Sequence, residues 1–576
     1  MSQPEQGIAT SVLVIGSGGA GLRAGIELAE IGVDVMVVGK RAKADAHTAL
    51  AAGGINAALG TMDPEDSWQQ HAADTLTESY LLADPTTVQI VTQRAAESIA
   101  DLERFGMAFA KERDGRISQR FFGAHTFRRT AFAGDYTGLE LQRTLVNRAA
   151  ALKVPILDSI YITRLLVCDG AVFGAYGFDL RDGTHYTIHA DAVILASGGH
   201  TRIWRRTSSR RDENTGDTFR LAVEAGARLR DPELVQFHPS GLIDPEDSAG
   251  TLVSEAARGE GGHLRNNLGE RFMARYDAAR MELSTRDRVA LGAFTEIKEG
   301  RGTPRGGVWL DVSHLPRTQI MERLPRVYQT LMELQLLDIT TDPIEVAPTA
   351  HYSMGGVWVR PSDHSTDVDG LYVIGEASSG LHGANRLGGN SLIELLVYGK
   401  IAARAAAGYS KKLTAQARSQ TAIIHARNEI RELLLAKGSE NVRFLQRAVR
   451  NTMTAHAGVV RYEAGLTTGL AEIADVETRV ADLAVHPDLA GFADLAHAFD
   501  LKGGLLAARA TLETARERRE TRGCHNRADY PDLDPALQVN LVWSGPGQIT
   551  HEPVTDIPAH IADLMQQVTQ EGKLVE

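Results

Sequence analysis

The sequence predicts an α/β protein organised around a doubly wound parallel sheet, with a helical domain towards the C-terminus. Three observations carry this prediction. The apolar run Val12-Leu13-Val14-Ile15 reads as a buried strand and passes through Gly16-Ser17-Gly18-Gly19-Ala20-Gly21 into a helical pattern reaching Ala29. A second apolar run, Val35-Met36-Val37-Val38, follows as the next strand. Two later runs close on glycine: Ala192-Val193-Ile194-Leu195-Ala196 before Ser197-Gly198-Gly199, and Leu371-Tyr372-Val373-Ile374 before Gly375-Glu376.

Each element has a local reason. In the first turn Gly16 permits the tight bend, Gly18 lets a pyrophosphate approach the backbone, and Gly21 lets helix and strand pack closely, while the helix N-terminus faces the phosphate charge. Such turns also occur without a ligand, so the fingerprint alone is weak. Where an acid often grips ribose hydroxyls, this chain has Gly39-Lys40, which argues against ordinary NAD binding. The small residues from Thr48 through Ala52-Gly53-Gly54 to Asn56 would let backbone amides approach a flavin ring face-on. A helical stretch from Phe219 to Ala227 leads towards His238, where a new unit begins. The segments Thr421 to Ala436 and Leu505 to Arg519 show helical spacing with alternating charges, which predicts the helical domain. Arg516, Arg518, Arg519 and Arg522 read as a solvated helix face rather than a docking surface, and the residues after Asp532 read as irregular.

With 576 residues, 43% hydrophobic and 23% charged, the chain has room for more than one domain. Its best membrane-span candidate, Ser391 to Tyr409, is interrupted by Glu394, Lys400 and Arg404, so the chain is not expected to cross a membrane. The N-terminal Met1-Ser2-Gln3-Pro4-Glu5-Gln6 lacks a basic region followed by an apolar core, which makes the cytoplasm the expected location. Two cysteines, Cys168 and Cys524, cannot supply the four thiolates an iron-sulfur cluster usually needs, and one possible disulfide would not define a secreted framework. No metal site is expected. The net charge of -12 opposes nonspecific nucleic-acid binding, and an anionic substrate would need a local basic pocket.

Five further motifs occur in order: Val235-Gln236-Phe237-His238-Pro239, Ser254-Glu255-Ala256-Ala257-Arg258-Gly259, Thr285-Arg286-Asp287, His351-Tyr352-Ser353-Met354-Gly355-Gly356, and His382-Gly383-Ala384-Asn385-Arg386-Leu387-Gly388-Gly389-Asn390-Ser391. With His47-Thr48 before the Gly53-Gly54 pair, they resemble the flavoprotein subunit of succinate dehydrogenase and fumarate reductase, from about Ser11 to about Asp532. The resemblance implies a Rossmann-like FAD-binding domain over 7–235 and 351–408, and an inserted α+β capping domain over 236–350. It also implies a C-terminal helical domain over 409–532, followed by a tail over 533–576. FAD would be attached covalently through His47 and surrounded by Gly16, Gly18, Gly19, Gly21, Lys40, Thr48, Gly53, Gly54, Asp217, Glu376, Asn390, Ser391 and Leu392. The implied partners are an iron-sulfur subunit and a membrane anchor exchanging electrons with quinone. They would hold this chain peripherally on the inner face of the cell membrane.

The implied reaction interconverts succinate and fumarate: a hydride leaves one methylene for FAD N5 and a proton leaves its neighbour. Both carbons are unactivated, so the enzyme must fix the carboxylates and polarise one of them. By the resemblance His238, Ser254, His351 and Arg386 hold the carboxylates beside Phe122, with Arg386 offering a planar fork. Arg286 is the implied proton shuttle. Guanidinium normally stays charged far above neutral pH, so Arg258 would disfavour its charged form and Glu255 would relay protons. Three positions depart from the family pattern: Ala52 replaces Gln or Glu, Ser254 replaces Thr but keeps the hydroxyl, and Cys524 replaces Ala as a small packing residue. L-Aspartate oxidase shares much of this pattern. It lacks a histidine like His47, however, and usually carries an acid where Phe122 stands. A non-catalytic flavin-binding assembly protein is opposed by the intact set of His238, Glu255, Arg258, Arg286, His351 and Arg386.

Overall fold

The computed structural model describes residues 4–487 and 491–571. Residues 1–3 of the N-terminal reading and 572–576 of the tail lie outside the described residues. Strand β1 (Glu5–Ile15) leads into helix α1 (Gly19–Glu30) and strand β2 (Val35–Gly39). Val12, Leu13 and Val14 are fully buried, as expected of a strand covered on both faces. Strand β3 (Ile156–Asp158) precedes three consecutive strands, β4 (Ile160–Cys168), β5 (Ala171–Asp179) and β6 (His185–Leu195). The sheet order is β3-β2-β1-β6-β5-β4. Pairing is parallel from β3 to β6 and antiparallel across β6, β5 and β4. Beyond the parallel strands read from the sequence, the sheet continues into an antiparallel meander, whose short connections leave no room for the crossover that parallel pairing requires.

After β6 and helix α2 (Asp217–Ala225) the chain builds a second, antiparallel sheet. Its strands are β7 (Val235–Leu242), β8 (His263–Arg265), β9 (Val308–Asp311) and β10 (Ile344–Ser353), in the order β7-β10-β9-β8. Helix α3 (Arg286–Lys298) packs on β7, and Leu242, Leu264, Val289, Val308 and Val346 form a core separate from those of the first sheet. The chain then returns to β6 itself, where strand β11 (Leu371–Val373) pairs in parallel with Val193–Leu195. The fold class read from the sequence holds: a doubly wound α/β unit carrying an inserted α+β unit.

The apolar stretch around Ser391 becomes helix α4 (Asn390–Lys412), packed against α1 and β6. Among the described residues no helix is long and apolar enough to cross a membrane. Helices α5 (Gln420–Leu435), α6 (Val442–His456), α7 (Glu463–Arg479) and α8 (Ala493–Glu517) make up the predicted helical region, and α8 also packs against α2.

Two expectations fail here. The residues after Asp532 are not irregular: strands β12 (Val539–Gly545) and β13 (Gln548–Pro553) form a hairpin that adds to Leu229–Arg230, followed by helix α9 (Ala559–Glu571). Burial of Leu541, Val542 and Trp543 explains the hairpin. Nor is the basic run wholly a solvated face. Helix α8 stops at Glu517, and Arg518 and Arg522 turn inward with almost no exposure, leaving Arg516 and Arg519 outside. Arg518 binds Asp231 at 3.0 Å, Glu233 at 2.8 Å and Glu520 at 3.3 Å, while Arg522 binds Glu520 at 2.7 Å. Carboxylates distant in sequence thus turn a surface-looking pattern into a buried clasp. Arg518→Ala should leave Asp231 and Glu233 buried without their ion-pair partner, at a cost of about 3–5 kcal/mol, read as a lower denaturant midpoint. An unchanged midpoint would show that the clasp contributes nothing to stability.

Candidate functional site

A cavity of about 590 Å³ lies between the first sheet and the inserted unit, and most of the predicted site residues line it. At one end is the β1–α1 turn. A Cβ on Gly16 would fall 2.2 Å from the Ala196 carbonyl oxygen, and one on Gly21 would fall 1.8 Å from that of Gly16. Gly16 also has φ +118°. Both positions therefore require glycine for turn and packing, whereas a Cβ on Gly18 would meet only Thr48 Oγ1 at 3.5 Å and Ala46 Cβ at 3.8 Å. Thr48 Oγ1 accepts the Gly19 N–H at 3.0 Å, so the histidine-bearing loop is pinned to the helix N-terminus.

The Lys40 ammonium reaches Asp217 Oδ2 at 3.0 Å and Asp500 Oδ1 at 3.6 Å, the latter from α8. Burial pulls its pKa down, but the two carboxylates outweigh this and hold it above the ordinary lysine range. His47 Nδ1 lies 3.0 Å from Glu213 Oε2. Burial disfavours the imidazolium, and the Glu213 carboxylate more than reverses this, raising the His47 pKa. The bond to Glu213 leaves Nε2 as the ring nitrogen without a protein partner among the described residues.

The opposite end gathers cations. Arg286, at the first position of α3, binds Glu255 Oε2 through Nε at 2.9 Å and through Nη2 at 2.8 Å, and donates from Nη1 to Gln236 Oε1 at 3.1 Å. Arg386 donates to the same Gln236 oxygen at 3.0 Å and to Ser391 Oγ at 2.7 Å. Gln236 is fully buried, and its Nε2 donates to Asn385 Oδ1 and Arg386 O, which fixes its oxygen towards both guanidinium groups. Burial raises the Glu255 pKa, but Arg286 and Arg258 hold it well below the usual carboxylate range. Burial, with Arg286 nearby, pulls Arg386 down to about 10.

His238 and His351 meet edge to face with ring centroids 5.4 Å apart. The Ser240 N–H donates to His238 Nδ1 at 3.3 Å, which leaves the proton of neutral His238 on Nε2. His351 Nδ1 is 2.9 Å from Ser208 Oγ. Phe122 fills the space against Gly53, where a Cβ would lie 2.7 Å from its ring. Ser254, Glu376 and Leu392 also line the cavity, with Glu376 Oε1 accepting the Ser353 N–H at 3.0 Å.

Three predicted residues stand outside the cavity wall. Gly21 acts in packing. Arg258 lies behind Glu255, 3.7 Å from Oε1, and donates to Glu282 O at 2.6 Å. Asn390 is committed to a polar cluster, binding His71 Nε2 at 2.9 Å, Asn56 Nδ2 at 2.8 Å and Thr75 Oγ1 at 2.9 Å. Sequence reasoning missed Glu213, Asp500 and Arg120. Glu213 sits just before the Asn214–Asp217 loop, but only folding brings it to His47. Arg120 donates to the carbonyls of Ala52, at 3.2 Å, and Gly53, clamping the loop in which Ala52 replaces the usual polar residue.

Comparison with known proteins agrees with this geometry. Residues 11–392 match the FAD binding domain family, and residues 446–564 match the fumarate reductase flavoprotein C-terminal family. The chain belongs to the flavoprotein family of succinate dehydrogenase and fumarate reductase. It is 40% identical to one of the subunits of the fumarate reductase (CoM/CoB) of Methanothermobacter marburgensis, over 92% of this chain and 96% of that one. Identity to the succinate dehydrogenase flavoprotein subunit of Rickettsia bellii is 36%, over 94% and 95%. Among solved structures, Mycobacterium smegmatis Sdh1 superposes with a TM-score of 0.89 at 35% identity, over 99% of this chain and 98% of that one. E. coli quinol fumarate reductase superposes with a TM-score of 0.90 at 30% identity, over 96% and 98%. The FAD-binding match spans both halves of the doubly wound sheet and the unit inserted between them.

Burial and the neighbouring arginines push His238 and His351 well below the ordinary imidazole range. A folded pKa below the unfolded one contributes stability above the unfolded value, about 6.5, that is lost as pH falls below it. Imidazole nitrogen NMR should show both rings neutral from about pH 8 to about pH 5.5, while surface histidines titrate. A midpoint near the ordinary value for either ring would refute their desolvation.

Proposed function

We propose that this chain is the FAD-bearing catalytic subunit that interconverts succinate and fumarate, exchanging electrons with an iron-sulfur subunit and, through a membrane anchor, with quinone. Those partners would hold it peripherally on the inner, cytoplasmic face of the cell membrane. The observation that carries the reading is the pair of guanidinium groups converging on Gln236, one ion-paired to Glu255 and one with no carboxylate among the described residues. The residues fit FAD: Gly16 and Gly18 keep the turn open to a pyrophosphate, and Gly53 and Gly54 line the cavity beside Phe122. His47, through its unpartnered Nε2, would hold FAD, which when bound would supply the hydride-accepting centre.

The chain's own residues do the rest. Arg386 receives one substrate carboxylate in its fork, while His238, through Nε2–H, His351 and the Ser254 hydroxyl receive the other. This holds the dicarboxylate extended and polarises the carbon to be deprotonated. In succinate oxidation Arg286 takes the proton from the substrate carbon as it passes one of its own to Glu255. In fumarate reduction Arg286 delivers that proton and regains it from Glu255. Arg258, behind Glu255, completes the charged group around that carboxylate. Phe122 brings no charge to the cavity, so the position at which aspartate oxidases usually carry an acid offers nothing to a substrate ammonium.

Anaerobic succinate should bleach the absorbance of the flavin-loaded protein, and L-aspartate should not. Bleaching by aspartate alone would overturn the substrate assignment. Arg286→Ala should keep flavin but lose turnover in both directions by about a thousandfold, the scale of removing a proton-transfer group. Substantial succinate oxidation by that variant would remove Arg286 from the mechanism. His47→Ser should retain FAD that acid precipitation releases, and flavin that stays attached would place the linkage elsewhere.

A further inference from the structure

Arg386 is 4% exposed, and its hydrogen-bond and ring partners among the described residues are uncharged, while Glu376 and Glu255 act on it through space. Its fork donates to Ser391 Oγ and Gln236 Oε1, Nε has no partner among the described residues, and the guanidinium carbon lies 4.2 Å from the centroid of the Tyr352 ring. The Tyr352 hydroxyl donates to Glu394 Oε2 at 3.2 Å. The same carboxylate oxygen is 3.0 Å from His382 Nε2. Tyr352, His382 and Glu394 are all buried, and the Tyr352 and His382 rings meet edge to face at 5.2 Å.

A cation this dry needs negative charge nearby. A carboxylate placed on the fork would supply it, but would also occupy the N–H groups that a substrate carboxylate needs. The structure takes another route. An aromatic face attracts guanidinium through its quadrupole, and a phenol that donates its proton to a carboxylate presents a more electron-rich face. Glu394, bonded to the hydroxyl of that ring, polarises its face without touching the fork. An ionised carboxylate only accepts hydrogen bonds, so the Tyr352 O–H and His382 Nε2–H both donate to it, which sets the direction of the hydroxyl.

We propose that Glu394, anchored by His382 and acting through Tyr352, is a positioning residue for Arg386. It keeps the guanidinium charged, stacked and free of a protein carboxylate, so that the fork stays open to a dicarboxylate. The inference rests on the dicarboxylate reading of the cavity.

The test compares four flavin-loaded full-length proteins: the unaltered chain, Tyr352→Phe, Glu394→Gln and the double variant. The readouts are KM and kcat for succinate, and the Kd of malonate from the change in flavin absorbance. Each single variant should raise KM and Kd about five- to tenfold, equivalent to about 1.0–1.4 kcal/mol, with kcat changed less than about twofold. The double variant should be no worse than either single one, because both remove the same coupling. Additive losses, or an unchanged Kd in either flavin-loaded single variant, would overturn the proposal. Should Glu394→Gln fail to load flavin, Tyr352→Phe decides alone, since it keeps the ring and removes only the hydroxyl. Failure of the unaltered chain both to bind malonate and to be bleached by succinate would instead bring down the dicarboxylate reading beneath it.

Discussion

At and just behind one end of the cavity three guanidinium groups and two imidazoles are largely shielded from water, and Glu255 is the carboxylate that pairs with two of the cations. Desolvation in such a place is expensive, and the cost is met differently for each group. Arg286 and Arg258 share Glu255, the imidazoles give up their protons, and Arg386 leans on a tyrosine ring and neutral oxygens. The result is a graded field. The arginine assigned to proton transfer is matched to a proton acceptor, whereas the arginine assigned to binding keeps a charge that a substrate anion would complete.

The topology is what allows these groups to meet. The chain leaves the first sheet after β6 and returns to pair with the same strand through β11, so the intervening antiparallel unit is anchored at both ends beside the carboxyl ends of the parallel strands. Ligands of doubly wound sheets bind at those ends. Arg286, Glu255 and His238 come from the inserted unit, while Arg386 and Ser391 come from the returning segment. The fully buried Gln236 joins the two groups by accepting from both arginines.

The doubly wound core was legible because its signals are local. Val12–Ile15 and the three glycines fix strand, turn and helix within a short window, and Gly16 and Gly21 do the work assigned to them. The cationic cluster was legible only as a set of family motifs, since a lone histidine or arginine carries no such information. What escaped was non-local. The β4–β5–β6 meander has strands as apolar as parallel ones, and only their short connections betray the pairing. Arg518 looked solvated because its partners Asp231 and Glu233 lie far away in sequence. Asn390, placed at the cofactor by its motif, is spent on His71 and Thr75, which no motif announces.

Lys40 shows how such a long-range partner changes the meaning of a residue. On sequence it was a departure, a base where an acid usually contacts ribose. In the fold it is a cation enclosed by Asp217 and Asp500, with the Tyr161 hydroxyl and Thr215 Oγ1 also donating to Asp500, at 2.7 and 2.9 Å. Asp500 belongs to α8, so the helical domain contributes a charge to the glycine-turn end of the cavity. A buried ion pair is weak evidence for stability, but breaking one strands its partner. The C-terminal helices are therefore coupled to the nucleotide end of the site by the cost of leaving Lys40 half-compensated. Asp500 thereby gives this region a contact beyond enclosing the core, with a lysine that lines the cavity.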